Sequence, residues 1–337
     1  MKAFDHVLLA HGGGGQLMDQ LLNDVVRPRV GNEILAQGLD SAILATHAGR
    51  LAITMDGYVV TPPFFPGGDI GRLAISGTVN DLAVCGARPL GIALGLIIAE
   101  GLERSILERV MDSIAATARE ANVKVVTGDT KVVGRGQCDG IYVTTAGVGE
   151  VPDGLTLGPA EVRPGDKILI NGFIADHGLA VMLTREMPHL TTPIRSDAAP
   201  LNGLIEHVLA THAKVRFMRD PTRAGISGLL ADLARVSGLR IVIEEASLPV
   251  RRETRHAAEM LGLDVMEVAN EGKVVVVVAL EDADKTLAAM HSHPLGKDAA
   301  IIGEVTAVAD GLCELHTTSG GRRVVQKPLG EQLPRIC

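Results

Sequence analysis

The sequence predicts an α/β (α+β) fold in two domains followed by a tail, and three observations carry this. A chain of 337 residues is longer than one core ordinarily organises. Apolar runs with strand character alternate along it with stretches of helical spacing. Between two such series, VPDGLTLGPAEVRPGD clusters proline and glycine over 151–166. The predicted domains are therefore 1–155 and 156–327, with 328–337 as a flexible tail ending in a cysteine.

In the first domain, HGGGGQ precedes Leu17, Leu21, Leu22 and Val25 at helical spacing until Pro28, so a glycine turn opens a helix. SAILATH and RLAITMD flank Ala48 and Gly49 as the arms of a hairpin. TPPFFPGGD reads as an ordered loop, because its prolines and glycines exclude regular structure. A helix of small residues follows from about Ile70 to Cys85. Strand GIALGLIIA, a helix over 103–121, and strands VKVVTGDTKVV and IYVTTAGVGEV complete the unit. The second domain opens on KILINGF. It alternates helices at 177–187, 201–211, 224–237, 252–261 and 282–291 with strands IVIEE, KVVVVVAL and AAIIGEV.

An internal echo joins the halves. Asp69, Arg72, Ile75, Ser76, Gly77, Asp81, Leu82 and Ala83 recur 151 residues later as Asp220, Arg223, Ile226, Ser227, Gly228, Asp232, Leu233 and Ala234. Two related half-sites or two helices rich in small packing residues both account for it.

Composition excludes several classes. A net charge of -8, 2% aromatic residues and no Trp leave neither the basic surface nor the stacking rings that nucleic acid requires. The longest apolar run, LGIALGLIIA, is about half the roughly 20 residues of a membrane span. MKAFDHV lacks the pattern of a signal peptide, so a cytoplasmic protein without a membrane partner is expected. Cys85, Cys138, Cys313 and Cys337 show no zinc spacing and are expected to be free thiols.

Four apolar stretches end at an acid: LAITMD at Asp56, VKVVTGD at Asp129, KVRFMRD at Asp220 and VMEVANE at Glu271. Strand ends are where α/β proteins gather ligands. With Asp69 in PGGDIG and Asp81 in GTVND, these hard oxygens suit magnesium on a phosphate-bearing ligand, though any one Asp also fits a helix cap or a solvated loop. Gly67 and Gly68 allow backbone N–H groups to approach phosphate, or form a plain turn. Lys131 shares a strand face with Asp129, as a phosphate-serving pair or a surface ion pair. His11, His177, His291 and His293 lack zinc spacing and read as caps or surface residues. No Walker A or GxGxxG pattern is present.

The runs PFFPGGDIGRLAISGTVNDLA, VTGDTKVV, INGFIADHG, MRDPTRAG, ANEG and terminal PRIC, spanning nearly the whole chain, resemble the HypE family of hydrogenase maturation factors. These carbamoyl dehydratases belong to the superfamily of aminoimidazole ribonucleotide synthetase and selenophosphate synthetase. The resemblance departs at Ala224, where glycine is usual, and at Met55, where Thr is common. It implies a homodimer with paired N-terminal sheets and a C-terminal α/β sandwich. It also implies ATP and Mg2+, a HypF-like carbamoyltransferase that loads Cys337, and an iron-carrying HypC–HypD-like scaffold that receives the cyanide.

The implied roles are Asp56, Asp81 and Asp220 on magnesium, Asp69 and Asp129 at or beside it, Lys131 on the transferred phosphoryl and Glu271 as general base. ATP would replace hydroxide, whose conjugate acid has a pKa of about 15.7, by phosphate at about 6. At about 1.36 kcal/mol per unit this eases departure by at most about 13 kcal/mol. Seven extended tail residues would reach about 25 Å. The alternatives are another synthetase of the superfamily, such as one forming selenophosphate, or a nucleotide-binding scaffold with a docking peptide. HGGGGQ lacks the reactive cysteine usual in selenophosphate synthetases.

Overall fold

The computed structural model describes residues 15–21, 23, 42–46, 49–330, 333, 336 and 337. Gly12 to Gly14, Leu22, Val25, Pro28, His47, Ala48, Pro334 and Arg335, all used in the sequence reading, lie outside these residues.

A five-stranded sheet runs in the order β1-β2-β7-β5-β6. Its strands are β1 (Ala42–Thr46), β2 (Gly49–Tyr58), β5 (Arg88–Ala99), β6 (Val125–Val133) and β7 (Ile141–Val151). β1 and β2 form the expected antiparallel hairpin from Thr46↔Gly49 to Ala42↔Ile53. β7 alternates buried and half-buried residues along its length, as a strand covered on one face must. That cover is α2 (Ile70–Val84) and α3 (Arg104–Glu120), which share an apolar core with Leu94, Leu96, Ile98 and Val143. Short α1 (Gln16–Leu21) precedes them. The loop at 61–69 is less irregular than its composition predicts: β3 (Phe64–Phe65) pairs with β4 (Gly68–Asp69). Pro66 and Gly67, φ +89°, make the turn between them.

The second sheet has seven strands in the order β14-β13-β10-β12-β8-β11-β9. These are β8 (Lys167–Ile170), β9 (Val215–Arg219), β10 (Ile241–Glu244), β11 (Val275–Val278), β12 (Ala300–Val305), β13 (Cys313–His316) and β14 (Arg322–Val325). All four valines of β11 are buried because the sheet is packed on both faces. Ile168, Val275 and Val277 meet α6 (Gly225–Ser237). Leu169, Val276 and Val278 meet α5 (Asn202–Leu209) and α8 (Ala283–Ser292). Two helices, α4 (Asp176–Glu186) and α7 (Arg252–Leu261), instead add to the core under the first sheet.

Candidate active site

The site begins at β2. Side chains alternate along it, so Asp56 shares the inward face of Thr54 and Tyr58. The Tyr58 hydroxyl donates to Asp56 Oδ2 at 3.2 Å, and Thr54 Oγ1 donates to Asp81 Oδ2 at 2.6 Å. Gly77 makes room on α2: a Cβ there would lie 2.2 Å from the Tyr58 hydroxyl oxygen. β9 then delivers Asp220 just beyond its end. The following turn is tied down by Asn270, whose Nδ2 donates to the Pro221 carbonyl at 3.0 Å. These segments enclose a cleft of about 240 Å³ lined by Asp56, Asp81, Asp220 and Asp232, with Arg219, Arg223 and Lys327 as its cations. Lys327 is itself paired with Asp19 at 3.0 Å and Asp232 at 3.2 Å.

Glu271 enters from the loop before β11 and is not at a strand end, contrary to the sequence reading. Its N–H donates to Asp197 Oδ1 at 3.0 Å, and its carbonyl accepts from Asn80 Nδ2 at 3.3 Å. The close approach requires Gly272, where a Cβ would fall 1.8 Å from the Asp197 carbonyl oxygen. The Glu271 side chain is buried and, among the described residues, Oε1 has no hydrogen-bond partner. Burial above all, then the charges of Asp220, Asp197 and Asp56, raises its pKa well above the usual carboxylate value, while Arg223 opposes this. Asp197 behaves oppositely. Burial pushes its pKa up, but Lys273, at 3.0 Å, and His177 outweigh that and hold it below normal.

The end of the sequence lies in this same region. Leu333 and Ile336 are buried in the core beneath the first sheet. The Val59 N–H donates to the Cys337 main-chain oxygen at 3.2 Å, extending the end of β2. Negative charge on Cys337 is the foremost influence holding the Arg223 guanidinium protonated, with Asp56 and Glu271 adding to it. Leu333, Ile336 and Cys337 of the predicted flexible tail are thus seated inward, while Leu329 is exposed.

Other expected residues take structural positions. Asp69 is the N-cap of α2, accepting from Gly71 N–H at 2.8 Å and Arg72 N–H at 3.0 Å. A Cβ on Gly67 would meet Ser196 backbone atoms at 2.6 Å, and one on Gly68 the Phe65 ring at 2.8 Å, so close packing explains both glycines. Asp129 lies within β6, away from its end. Asp129 and Lys131 pair at 3.0 Å with both side chains 69% exposed. Their β5 partners Gly95 and Ile97 alternate with core-facing Leu94, Leu96 and Ile98, so the pair points away from Asp56. The echo survives in part: Asp81 on α2 and Asp232 on α6 both line the cleft. It fails at the helix starts, since α2 begins right after Asp69 and α6 begins at Gly225, five residues after Asp220. His177, expected as a cap or surface residue, is fully buried. Sequence reasoning assigned no role to Arg219, Asp197 or Lys327. Arg223 and Asp232 had a signal in the echo.

Family models for AIR synthase related protein match here, the N-terminal domain at residues 38–151 and the C-terminal domain at 163–312. The carbamoyl dehydratase HypE of Rhizobium leguminosarum bv. viciae is 49% identical over 98% of this chain and 94% of its own. The chain belongs to the HypE carbamoyl dehydratase family. Solved HypE structures superpose along nearly its whole length. One from a HypE–HypF complex has a TM-score of 0.86 at 43% identity, covering 91% of this chain and 99% of that one. A HypE in complex with ATP has a TM-score of 0.82 at 40% identity, covering 98% and 100%. Among the described residues no helix is long and apolar enough to cross a membrane.

Proposed function

We propose that this chain dehydrates a carbamoyl group on the sulfur of Cys337 to a thiocyanate, using ATP, and so supplies cyanide for nickel-iron hydrogenase assembly. The observation that carries the reading is the Cys337 main-chain oxygen on the Val59 N–H at 3.2 Å, one residue past Tyr58, whose hydroxyl donates to Asp56. A substrate-bearing sulfur, a cation and a buried base share one site.

The cleft fits magnesium and a triphosphate by its chemistry. Asp56, Asp81 and Asp220 would hold the metal, and Arg219, Arg223 and Lys327 the phosphates. Among the described residues no three of His, Cys, Asp and Glu converge closely enough to hold a metal unaided. Magnesium takes one or two carboxylates and completes its shell with water and phosphate oxygens, so one or two of Asp56, Asp81 and Asp220 would suffice beside the triphosphate. When bound, ATP supplies the phosphoryl group that lets the carboxamide oxygen leave as phosphate.

The chain does the rest. Glu271 takes the first amide hydrogen as a proton, for which a carboxylate of raised pKa is the stronger base, and the second leaves with the departing phosphate. Asp197 fixes the Glu271 backbone. Arg223, a cation of the cleft lining, would stabilise negative charge on the phosphates. The seat of Leu333 and Ile336 brings the group to be dehydrated inside the fold.

Outside the site, a HypF-like carbamoyltransferase would load Cys337 and a HypC–HypD-like scaffold would accept the cyanide in the cytoplasm. The solved HypE–HypF complex supports the first partner. A homodimer is supported by the sheet face opposite Thr54 and Tyr58, where Met55 is 72% exposed and Ile53 39%. Asp129 and Lys131 lie on that face, so Lys131 would act from the sheet interface and Asp129 would remain its ion-pair partner. Asp69, Gly67 and Gly68 would act by shaping the entrance to α2. We retain the division at 1–155, 156–327 and 328–337.

The test is the intact mass of the chain after supply of carbamoyl donor, transferase and ATP. A carbamoyl gain followed by loss of one water, both localised to the peptide containing Cys337, is expected. A stable carbamoyl adduct in the presence of ATP would sink the reading.

A further inference from the structure

We infer that His177 is a positioning residue for Cys337: it holds the segment ending at Cys337 in its inward seat through a hydrogen bond to the Ile336 carbonyl. The ring is fully buried, and Nε2 lies 2.7 Å from the Ile336 oxygen. A carbonyl only accepts, so Nε2 carries the hydrogen. On the neutral ring Nδ1 is then an acceptor, and Ser196 Oγ–H donates to it at 2.8 Å. Burial, which lowers the His177 pKa despite the opposing charge of Asp197, favours this neutral tautomer. Both ring nitrogens are therefore used, one by the body of the protein and one by the tail.

The ring is held so that it cannot turn away. Ser196 Oγ also accepts from the Ala198 N–H at 3.1 Å, and the Ser196 N–H donates to the Pro66 carbonyl at 2.7 Å. Phe65 meets the imidazole edge-on, with centroids 5.6 Å apart. Beside it, Gly178 opens the groove for Leu333, since a Cβ there would lie 2.8 Å from Leu333 Cδ1. With the Val59 N–H on the Cys337 oxygen, the last two main-chain oxygens of the seated segment are each fixed by one donor. Apolar packing of Leu333 and Ile336 gives the segment affinity. The two donors set its register, and register decides where the sulfur sits. The seating does not depend on the dehydratase reading; its consequence for turnover does.

The experiment measures alkylation of Cys337 by iodoacetamide in the full chain, with magnesium and a non-hydrolysable ATP analogue present. The free peptide EQLPRIC is the unprotected reference. The wild-type chain is expected to protect Cys337. His177→Leu should lose about tenfold of that protection, the factor equivalent to a net hydrogen bond of about 1.4 kcal/mol. His177→Gln, which keeps an N–H donor, should restore most of it, a rescue that a purely space-filling role does not predict. Ser196→Ala frees the ring and should lose part of the protection, which serves if the leucine variant does not fold. Wild-type protection in folded His177→Leu or in Ser196→Ala, or a wild-type chain as reactive as the peptide, overturns the proposal. Carbamoylated Cys337 should lose water more slowly in step with lost protection. If protection falls as expected but even the wild type never loses water, the dehydratase reading fails while the role of His177 stands.

Discussion

Replacing Glu271 with Gln should stabilise the protein and abolish dehydration together. Glu271 is buried, Oε1 has no hydrogen-bond partner among the described residues, and burial with three neighbouring carboxylates raises its pKa. A group whose folded-state pKa is raised contributes stability fully present below its unfolded pKa, and that stability is lost as pH rises through the folded value. At pH 8, above the ordinary glutamate pKa, burying the charge or holding a proton that the unfolded chain gives up therefore costs stability, whereas Gln carries no charge and binds no proton. An uncompensated buried polar atom costs about 1–3 kcal/mol, and more when charged. For a domain of 150–250 residues each kcal/mol moves Tm by about 2–4 °C, so a rise of about 2–12 °C at pH 8 is expected. Below the ordinary glutamate pKa the difference should vanish. Differential scanning calorimetry of both proteins from pH 4 to pH 8 reads it directly. An advantage independent of pH, or a Gln variant less stable at pH 8, would refute the placement of Glu271 as a strained buried base. Such a residue is costly to the fold and kept for its chemistry.

Arg223→Ala removes a cation that lowers the Glu271 pKa, so the rising limb of the pH–rate profile for dehydration should move to higher pH; an unmoved limb would exclude their coupling. Mixing Lys131→Ala with Cys337→Ala chains should restore dehydration if Lys131 serves the partner subunit's site across paired sheets. If Lys131 acts within its own chain, the mixture stays inactive. Gly272→Ala places a Cβ 1.8 Å from the Asp197 carbonyl and should lower stability by about 1–3 kcal/mol, measured by denaturant titration, while uncoupling Glu271 from the cleft.

The fold was legible wherever one element supplied its own signal. β7 alternates cleanly, apolar runs mark the paired arms β1 and β2, and α2 follows directly on its capping Asp69. β13 and β14 passed unnoticed because CELH and RRVV are four residues each and half polar, which leaves too little periodicity to separate strand from loop. The pairing of β13 with β10, some 70 residues earlier, and of β14 with β13 is what makes them strands. The pair β3 and β4 was hidden for another reason. Two residues per strand are held by the turn and by packing of Gly67 on Ser196, neither of which local propensity contains.

The site divides along the same line. Asp56, Asp81 and Asp220 were legible because strand-to-loop transitions and short motifs carry them, and the cleft gathers all three. Treating every acid after an apolar run as equivalent was the error for Asp129. A strand has two faces, and only the register with β5 and β7 shows that Asp129 and Asp56 point to opposite ones. Sequence also located Glu271 without its source of basicity. That comes first from burial and then from the charges of Asp220, Asp197 and Asp56, residues 51 to 215 positions away in the chain. Base strength here is a property of tertiary packing, and no window of sequence around ANEG holds it.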